Sequence, residues 1–182
     1  MGSPKPLLPF GESTFLEHLL KEFAVSRSSP ILVVLGHEQE RVRREVAFDK
    51  AIPVVNSEYK KGMLSSIRAG LKALQEHQVE GVLICPVDHP KVDRKVIDTL
   101  IERFEDARPP VVLPICDGRR GHPVLFSQAV FEELLDAPDS VGARQVVWDH
   151  STELLEVEVD DSGIHCDVDT PGDYRTLTSK EA

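Results

Sequence analysis

The chain has little that could staple it covalently. Its three cysteines, Cys85, Cys116 and Cys166, are odd in number, widely separated and without metal-ligand spacing. That argues against a disulfide framework or a structural zinc site, and reads as reduced, mostly buried thiols of a cytosolic protein. Long hydrophobic runs are also missing. No apolar stretch approaches the roughly 20 residues that span a bilayer, and no signal peptide stands at the start, so the expected location is the cytoplasm. Positive charge is the third scarcity: 21 Lys and Arg face 31 Asp and Glu, a formal net charge of −10. Such a surface repels phosphate backbones and anionic lipid, which argues against nucleic-acid and membrane partners. A small nucleotide remains compatible, because a metal ion and a few local cations can reverse the field inside one cleft.

What the chain does have is the length and pattern of one α/β domain over residues 1–182, able to bury roughly 70% of its unfolded surface. The runs 31–35, 52–55, 82–85 and 111–114 are apolar and rich in β-branched residues, without alternation. That is the mark of parallel strands covered on both faces. Helical patterns lie between them at 14–25, 38–48, 64–77 and 93–104, the first with Ser13 as its expected N-cap. Further on, 123–126 and 154–159 read as strands and 128–135, 143–150 and 171–177 as helices. The segment Asp117-Gly118-Arg119-Arg120-Gly121 reads as a mobile loop. Strand and helix in alternation predict a three-layer, Rossmann-like, doubly wound, mostly parallel sheet. A βαβ unit feeds its helix from a preceding strand, yet only a Pro-rich dozen residues precede the first helix. Either the fold opens on a helix, or the start lies at an internal Met or a natural truncation, leaving two strands unpaired beside a gap.

Chemistry-bearing residues gather at a few places. Asp88, in Val87-Asp88-His89-Pro90, directly follows an apolar run, and ligands of open α/β sheets collect at the carboxyl ends of strands. It could meet a metal–triphosphate, since Mg²⁺ needs only one or two carboxylates, or merely cap the next helix. In Asp167-Val168-Asp169-Thr170-Pro171-Gly172-Asp173-Tyr174, Asp169 or Thr170 could cap a helix with Pro at its first turn. Gly62 allows close backbone approach, and Ser65 and Ser66 are expected to cap the following helix while offering hydroxyls. His18, His37 and His77 show no metal spacing and read as structural.

The opening Met1-Gly2-Ser3-Pro4-Lys5-Pro6-Leu7-Leu8-Pro9, followed by a helix, resembles the molybdenum-cofactor cytidylyltransferases, within the wider nucleotidyltransferases that act on sugars and pterins. The resemblance covers nearly the whole chain. It continues through Asn56 to Leu71 (N-x-x-x-x-x-G-M-x-S-S-x-x-x-G-L), through Asp88-His89-Pro90 (D-x-P) and through Asp167 to Tyr174 (D-x-D-T-P-x-D-Y). Gly121-His122-Pro123-Val124-Leu125-Phe126 and Gly142-Ala143-Arg144 are also similar to family elements. The family's preceding strand and glycine-rich run, L-A-A-G-x-S-x-R, have no counterpart in this sequence.

The resemblance implies a nucleotide-diphospho-sugar transferase type of fold and transfer of CMP from Mg-CTP to a phosphorylated acceptor, foremost molybdopterin, with release of pyrophosphate. Lys5 and Asp88 would be catalytic. Lys5, Gly62 and Ser66 would bind the nucleotide, Asp88, Asp167 and Asp169 would hold Mg²⁺, and His122 and Arg144 would face the acceptor. For His122 a bond to a loop carbonyl, and for Arg144 a surface helix cation, are the plain structural alternatives. Asp167 and Asp169 are expected to divide two tasks, one facing the metal and the other supporting the turn. The alternatives in function are a GTP-using guanylyltransferase of the same fold, or a catalytically impaired protein that binds or delivers a pterin cofactor. A molybdoenzyme is a further candidate partner.

Overall fold

The computed structural model describes residues 3–179, so Met1 and Gly2 of the opening motif lie outside the described residues. The chain begins with a 3-10 turn at Lys5–Leu7, then a two-residue hairpin of β1 (Pro9–Phe10) and β2 (Ser13–Thr14). Helix α1 (Phe15–Val25) follows at once. Its N-cap is Thr14 rather than Ser13: Glu17 Oε2 accepts from the Thr14 backbone N–H at 2.9 Å, and Glu17 N–H donates back to Thr14 Oγ1 at 3.3 Å. The glutamate three positions on makes this a reciprocal capping box, whereas Ser13 Oγ turns back to the Phe10 carbonyl.

Next come β3 (Leu32–Leu35), α2 (Gln39–Glu45) and β4 (Ile52–Val55), with β3 and β4 parallel in the register Leu32↔Ile52 to Leu35↔Val55. Helix α2 stops short of Phe48 because Val46 turns extended, which lets Val46 and Phe48 join Val42, Leu35 and Leu16 in one cluster. Then follow α3 (Met63–Leu74), β5 (Gly81–Ile84), α4 (Arg94–Ala107), β6 (Val111–Cys116), β7 (Arg119–Arg120) and β8 (Val124–Ser127). The chain closes with α5 (Phe131–Asp136), α6 (Arg144–Asp149), β9 (Leu155–Glu158) and α7 (Pro171–Ser179). The expected loop at 117–121 is instead a tight hairpin. Asp117 and Gly118, with φ of 51° and 69°, join β6 to β7 across the Cys116↔Arg119 pair, as an Asp-Gly type I′ turn does.

Strands β5 and β6 are both antiparallel to β8, which lies between them, and therefore run the same way; β9 is parallel to β6. Alternate residues of these strands serve opposite faces. Val111 and Phe126 pack with Leu64, Ile67 and Leu134 of α3 and α5, while Val112 and Leu125 pack with Val96, Leu100 and Phe104 of α4. Both faces are thus dry, which accounts for the unbroken apolar runs. The fold is the expected layered α/β architecture. Among the described residues no helix is long and apolar enough to cross a membrane.

The sheet is divided. Among the described residues β3 pairs only with β4, and β5 reaches only β8. Ile31 and Leu32 line one groove with Gly81 and Val82, while Leu35 and Val87 share one apolar cluster at the other end. The two edges therefore run parallel to each other across a gap. That gap is an apolar cavity of about 410 Å³, floored by Leu16 and Leu20 of α1 and by Ile67 and Leu71 of α3. These are the two strands left unpaired beside a gap. Among the described residues their inward backbone groups have no strand partner, and across the gap side-chain packing takes the place of a backbone ladder.

Hydrogen exchange should expose this division. Strand β6, paired with β8 and β9, is expected to hold the slowest amides, and the amides of β3 and β5 that face the gap should exchange much faster. Equal protection of the three strands, measured by mass spectrometry or NMR, would mean that the gap is filled in solution.

Candidate active site

Asp88 lies just past the carboxyl end of β5, in a turn held by His89 N–H to the Pro86 carbonyl at 3.2 Å and Val92 N–H to the His89 carbonyl at 3.3 Å. The Asp88 carbonyl accepts from Val168 N–H at 3.0 Å. That bond brings the distant 167–169 segment onto the end of β5. Val168 is buried with Leu8, Phe10, Phe15 and Leu177, and with it anchored inward both flanking aspartates turn to the site. Residues two apart on an extended segment share a side. The expected division of labour between Asp167 and Asp169 is therefore corrected. The helix-capping task falls to Thr170 and Asp173: Asp173 Oδ2 accepts from Thr170 N–H at 2.7 Å, and Asp173 N–H donates to Thr170 Oγ1 at 3.2 Å.

Lys5 reaches the same centre from the opposite end of the chain. Leu7 and Leu8 are buried in separate clusters and pin the 3-10 turn that carries it. Its ammonium donates to Asp88 Oδ2 at 2.9 Å and to Asp169 Oδ1 at 2.5 Å. Burial alone would lower the Lys5 pKa, but the bonds from Asp169 and Asp88 and their charges hold it above its usual value. Asp169 is held below the usual carboxylate range by its bond to Lys5 and by the ammonium's charge. Asp167 is pushed up, first by burial and then by the charges of Asp88 and Asp169. One carboxyl is thus left short of positive charge. Ligand atoms of Asp88, His89 and Asp167 lie within 4.8 Å of one another, a spacing that suits a divalent cation.

Two histidines back this centre. His89 is buried and its ring stands 4.5 Å from that of His122, at 57° between planes. His122 N–H donates to the Ile164 carbonyl at 3.0 Å. Gly121 beside it lies so close to Ile164 that an added Cβ would come within 2.6 Å. Burial, then the neighbouring His89, brings the His122 imidazole down to about 4. It is neutral at physiological pH. Cys85, next along the strand, is pushed up to about 12 by burial and by the charge of Asp88, and stays an unreactive thiol.

Around the centre are two surfaces. Ser66 and Met63 share the rim of the inter-strand cavity with Asp88. Gly62 opens α3 with φ 99°, and no side chain caps that helix. The expectation that Ser65 and Ser66 cap it is corrected: both hydroxyls accept from buried Asn56 Nδ2, at 2.8 and 3.0 Å. His122 and Arg144 line one further cavity, of about 340 Å³, with Met63, Pro86 and Trp148. The structure therefore brings Lys5, Asp88, Asp167 and Asp169 together. It sets His122 against them through His89, and places Arg144 in one cavity with His122 and Met63. Sequence reasoning gave no role to Asn56, His89 or Trp148. The available signals were an asparagine ending a strand and an imidazole beside a candidate ligand; for Trp148, 54% exposed, there was none.

A family model described as "MobA-like NTP transferase domain" matches residues 1–154. The chain is 29% identical over 185 residues to the molybdenum cofactor cytidylyltransferase of Escherichia coli (strain K12), covering 100% of this chain and 89% of that one. A probable molybdenum cofactor guanylyltransferase of Bacillus mycoides (strain KBAB4) is 35% identical over 126 residues, 65% of this chain and 57% of its own. Among solved structures, Rv0371c from Mycobacterium tuberculosis H37Rv superposes with a TM-score of 0.85 at 27% identity, over 98% of this chain and 90% of that one. A manganese complex of Rv0371c gives 0.81 at 26%, over 97% and 91%.

The depressed His122 has a consequence for stability. A histidine whose folded pKa lies below its unfolded value stabilises the fold fully above the unfolded value, and that contribution drains away as pH falls toward the folded one. Stability should therefore fall between about 6.5 and about 4, and His122→Asn should flatten that fall. Denaturant midpoints across this range check it; identical slopes in both proteins would contradict the assignment.

Proposed function

This chain belongs to the MobA-like NTP transferase domain family and is a nucleotidyltransferase, and we propose that within that class it transfers CMP from CTP to a phosphorylated acceptor, the molybdenum cofactor's molybdopterin. The observation that carries the reading is the Lys5 ammonium held between Asp88 and Asp169 at the carboxyl end of β5. The cavity of His122 and Arg144 lies beside it. The cytidylyl assignment draws on the similarity to the Escherichia coli cytidylyltransferase, which extends over 100% of this chain.

The reaction needs no protein nucleophile. An anionic oxygen of the acceptor phosphate attacks the α-phosphorus in line, the bond from that phosphorus to the bridging oxygen breaks, and pyrophosphate leaves with the electron pair. Lys5 is the catalytic cation. Once a nucleotide draws it from the carboxylates, its charge offsets that growing on the α-phosphate and the leaving group. Asp88, Asp167 and Asp169 offer the hard oxygen donors that Mg²⁺ requires, and Asp167, short of positive charge, fits a cation's arrival. The bound ion supplies neutralisation of the triphosphate. Rv0371c has been crystallised with manganese, an ion with similar oxygen preferences.

Asn56 gives Ser66 its direction. Its amide donates to Ser66 Oγ, which leaves the hydroxyl proton free to donate to an acceptor on the nucleobase. Gly62 leaves open space where a Cβ would stand, so its backbone can meet a flat ring. Neutral His122 and the Arg144 guanidinium would orient the acceptor and its phosphate. All of these groups belong to one nucleotidyltransferase domain over residues 1–182, working in the cytoplasm with a molybdoenzyme as the onward partner. Use of GTP is the second reading, favoured by the 35% identity to the Bacillus guanylyltransferase.

The test is thermal and chemical unfolding with Mg²⁺ and CTP or GTP. A nucleotide at a hundred times its dissociation constant adds about 2.7 kcal/mol, and that gain should appear with CTP and vanish in Asp88→Ala. Lys5→Ala should keep much of the binding but lower pyrophosphate release about a hundredfold or more. Stabilisation by GTP alone would overturn the base assignment. A gain with neither nucleotide would overturn the nucleotide site itself.

A further inference from the structure

His89 stands between two residues that the resemblance explains, yet nothing assigned so far uses its ring. It is 8% exposed, its Nδ1 is buried without a hydrogen-bond partner, and a ring nitrogen lies within 4.8 Å of ligand oxygens of both Asp88 and Asp167. A buried imidazole nitrogen left unpaired costs free energy unless something meets it. We propose that His89 is a ligand of the divalent cation, making the centre a mixed nitrogen and oxygen site that favours later first-row ions over Mg²⁺. This rests on the reading of Asp88 and Asp167 as metal ligands given above.

The packing around the ring supports it. The Ile164 carbonyl lies beside the same ring; a metal-binding histidine commonly turns its other nitrogen to a backbone carbonyl, which fixes tautomer and orientation. His122 packs against the ring at 4.5 Å and helps to fix its plane. The chemistry of the donor set follows. Mg²⁺ prefers all-oxygen surroundings, whereas an imidazole adds affinity that grows from Mn²⁺ through Co²⁺. Substituting the histidine should therefore alter the ranking of metals as well as the overall strength of binding.

The experiment is Mn²⁺ binding to the full chain followed by pulsed electron paramagnetic resonance, with Mg²⁺ and Co²⁺ as competitors. The expected result is a ¹⁴N hyperfine coupling in the wild-type spectrum that His89→Asn abolishes. In that variant Mn²⁺ and Co²⁺ affinities should fall about tenfold or more and Mg²⁺ affinity much less. Bound Mn²⁺ that depends on Asp88 but shows no nitrogen coupling would overturn the role of His89 and leave the carboxylate site standing. No Mn²⁺ binding by the wild-type chain would remove both. Should His89→Asn fail to fold, the wild-type spectrum alone decides.

Discussion

A single lysine joins three parts of the chain that are otherwise remote in sequence. Lys5 meets Asp88, 83 positions away, and Asp169, 164 positions away, so the opening turn, the end of β5 and the approach to α7 converge on one ammonium. The two contacts differ in strength. Asp169 is 65% exposed, so water screens its pairing and it adds little. Asp88 is 24% exposed and less screened. The arrangement remains short of positive charge, with Asp167 beside the pair and its carboxyl pushed upward. That imbalance is what gives the centre its appetite for a cation, and it explains how a chain of net charge −10 can still address a triphosphate. Repulsion acts over the whole surface, but binding is decided within a few ångströms by the lysine and the incoming ion.

The gap between β3 and β5 sets the mechanical context. Asp88 hangs from β5, which among the described residues has a strand neighbour on one side. Its support must come from elsewhere. Val87 belongs to the apolar clusters of Leu7, of Leu8 and of Leu19, and so is held from three directions. The bond from Val168 N–H to the Asp88 carbonyl adds a fourth tie. These contacts fix the end of the strand even though its inner edge lacks a ladder.

Much of this was legible in the residues, and what was not has a physical reason. Unbroken β-branched runs announce strands covered on both faces, and every such run became one. The parallel pairing of β3 with β4 follows from the helix between them. The division of the sheet was foreseeable from a first helix without a feeding strand. Local hydrogen bonding was harder to read. Ser13 and Thr14 are equally good caps by composition, and only Glu17 three residues beyond Thr14 separates them. Asp117-Gly118 carries a hairpin signal, but the charged neighbours Arg119 and Arg120 disguised the short β7. Ser65 and Ser66 looked like caps because the demand made on them by Asn56 is set by tertiary folding, which spacing alone does not reveal. The same holds at the centre. Asp88, Asp167, Asp169 and Lys5 could be named as candidates, but the buried bond through Val168 that turns both aspartates to one side depends on a core assembled from both ends of the chain.

The two histidines show how burial can prepare chemistry without adding charge. In water an imidazole near a carboxylate tends to take up a proton, and a protonated His89 would neutralise the aspartates as effectively as a cation. Burial opposes this, since the charged ring would lose its hydration. The effect reaches the second histidine, since His89, with its ring 4.5 Å away, adds to burial in holding the His122 imidazole down. The aspartates remain uncompensated on that side, and Lys5 is the cation in hydrogen-bond contact with Asp88 and Asp169. A pair of apolar side chains would fill the same space but could not offer a nitrogen to an ion. Neutral imidazoles can, while leaving the local field negative, which is the condition a metal-dependent centre requires before its ion arrives.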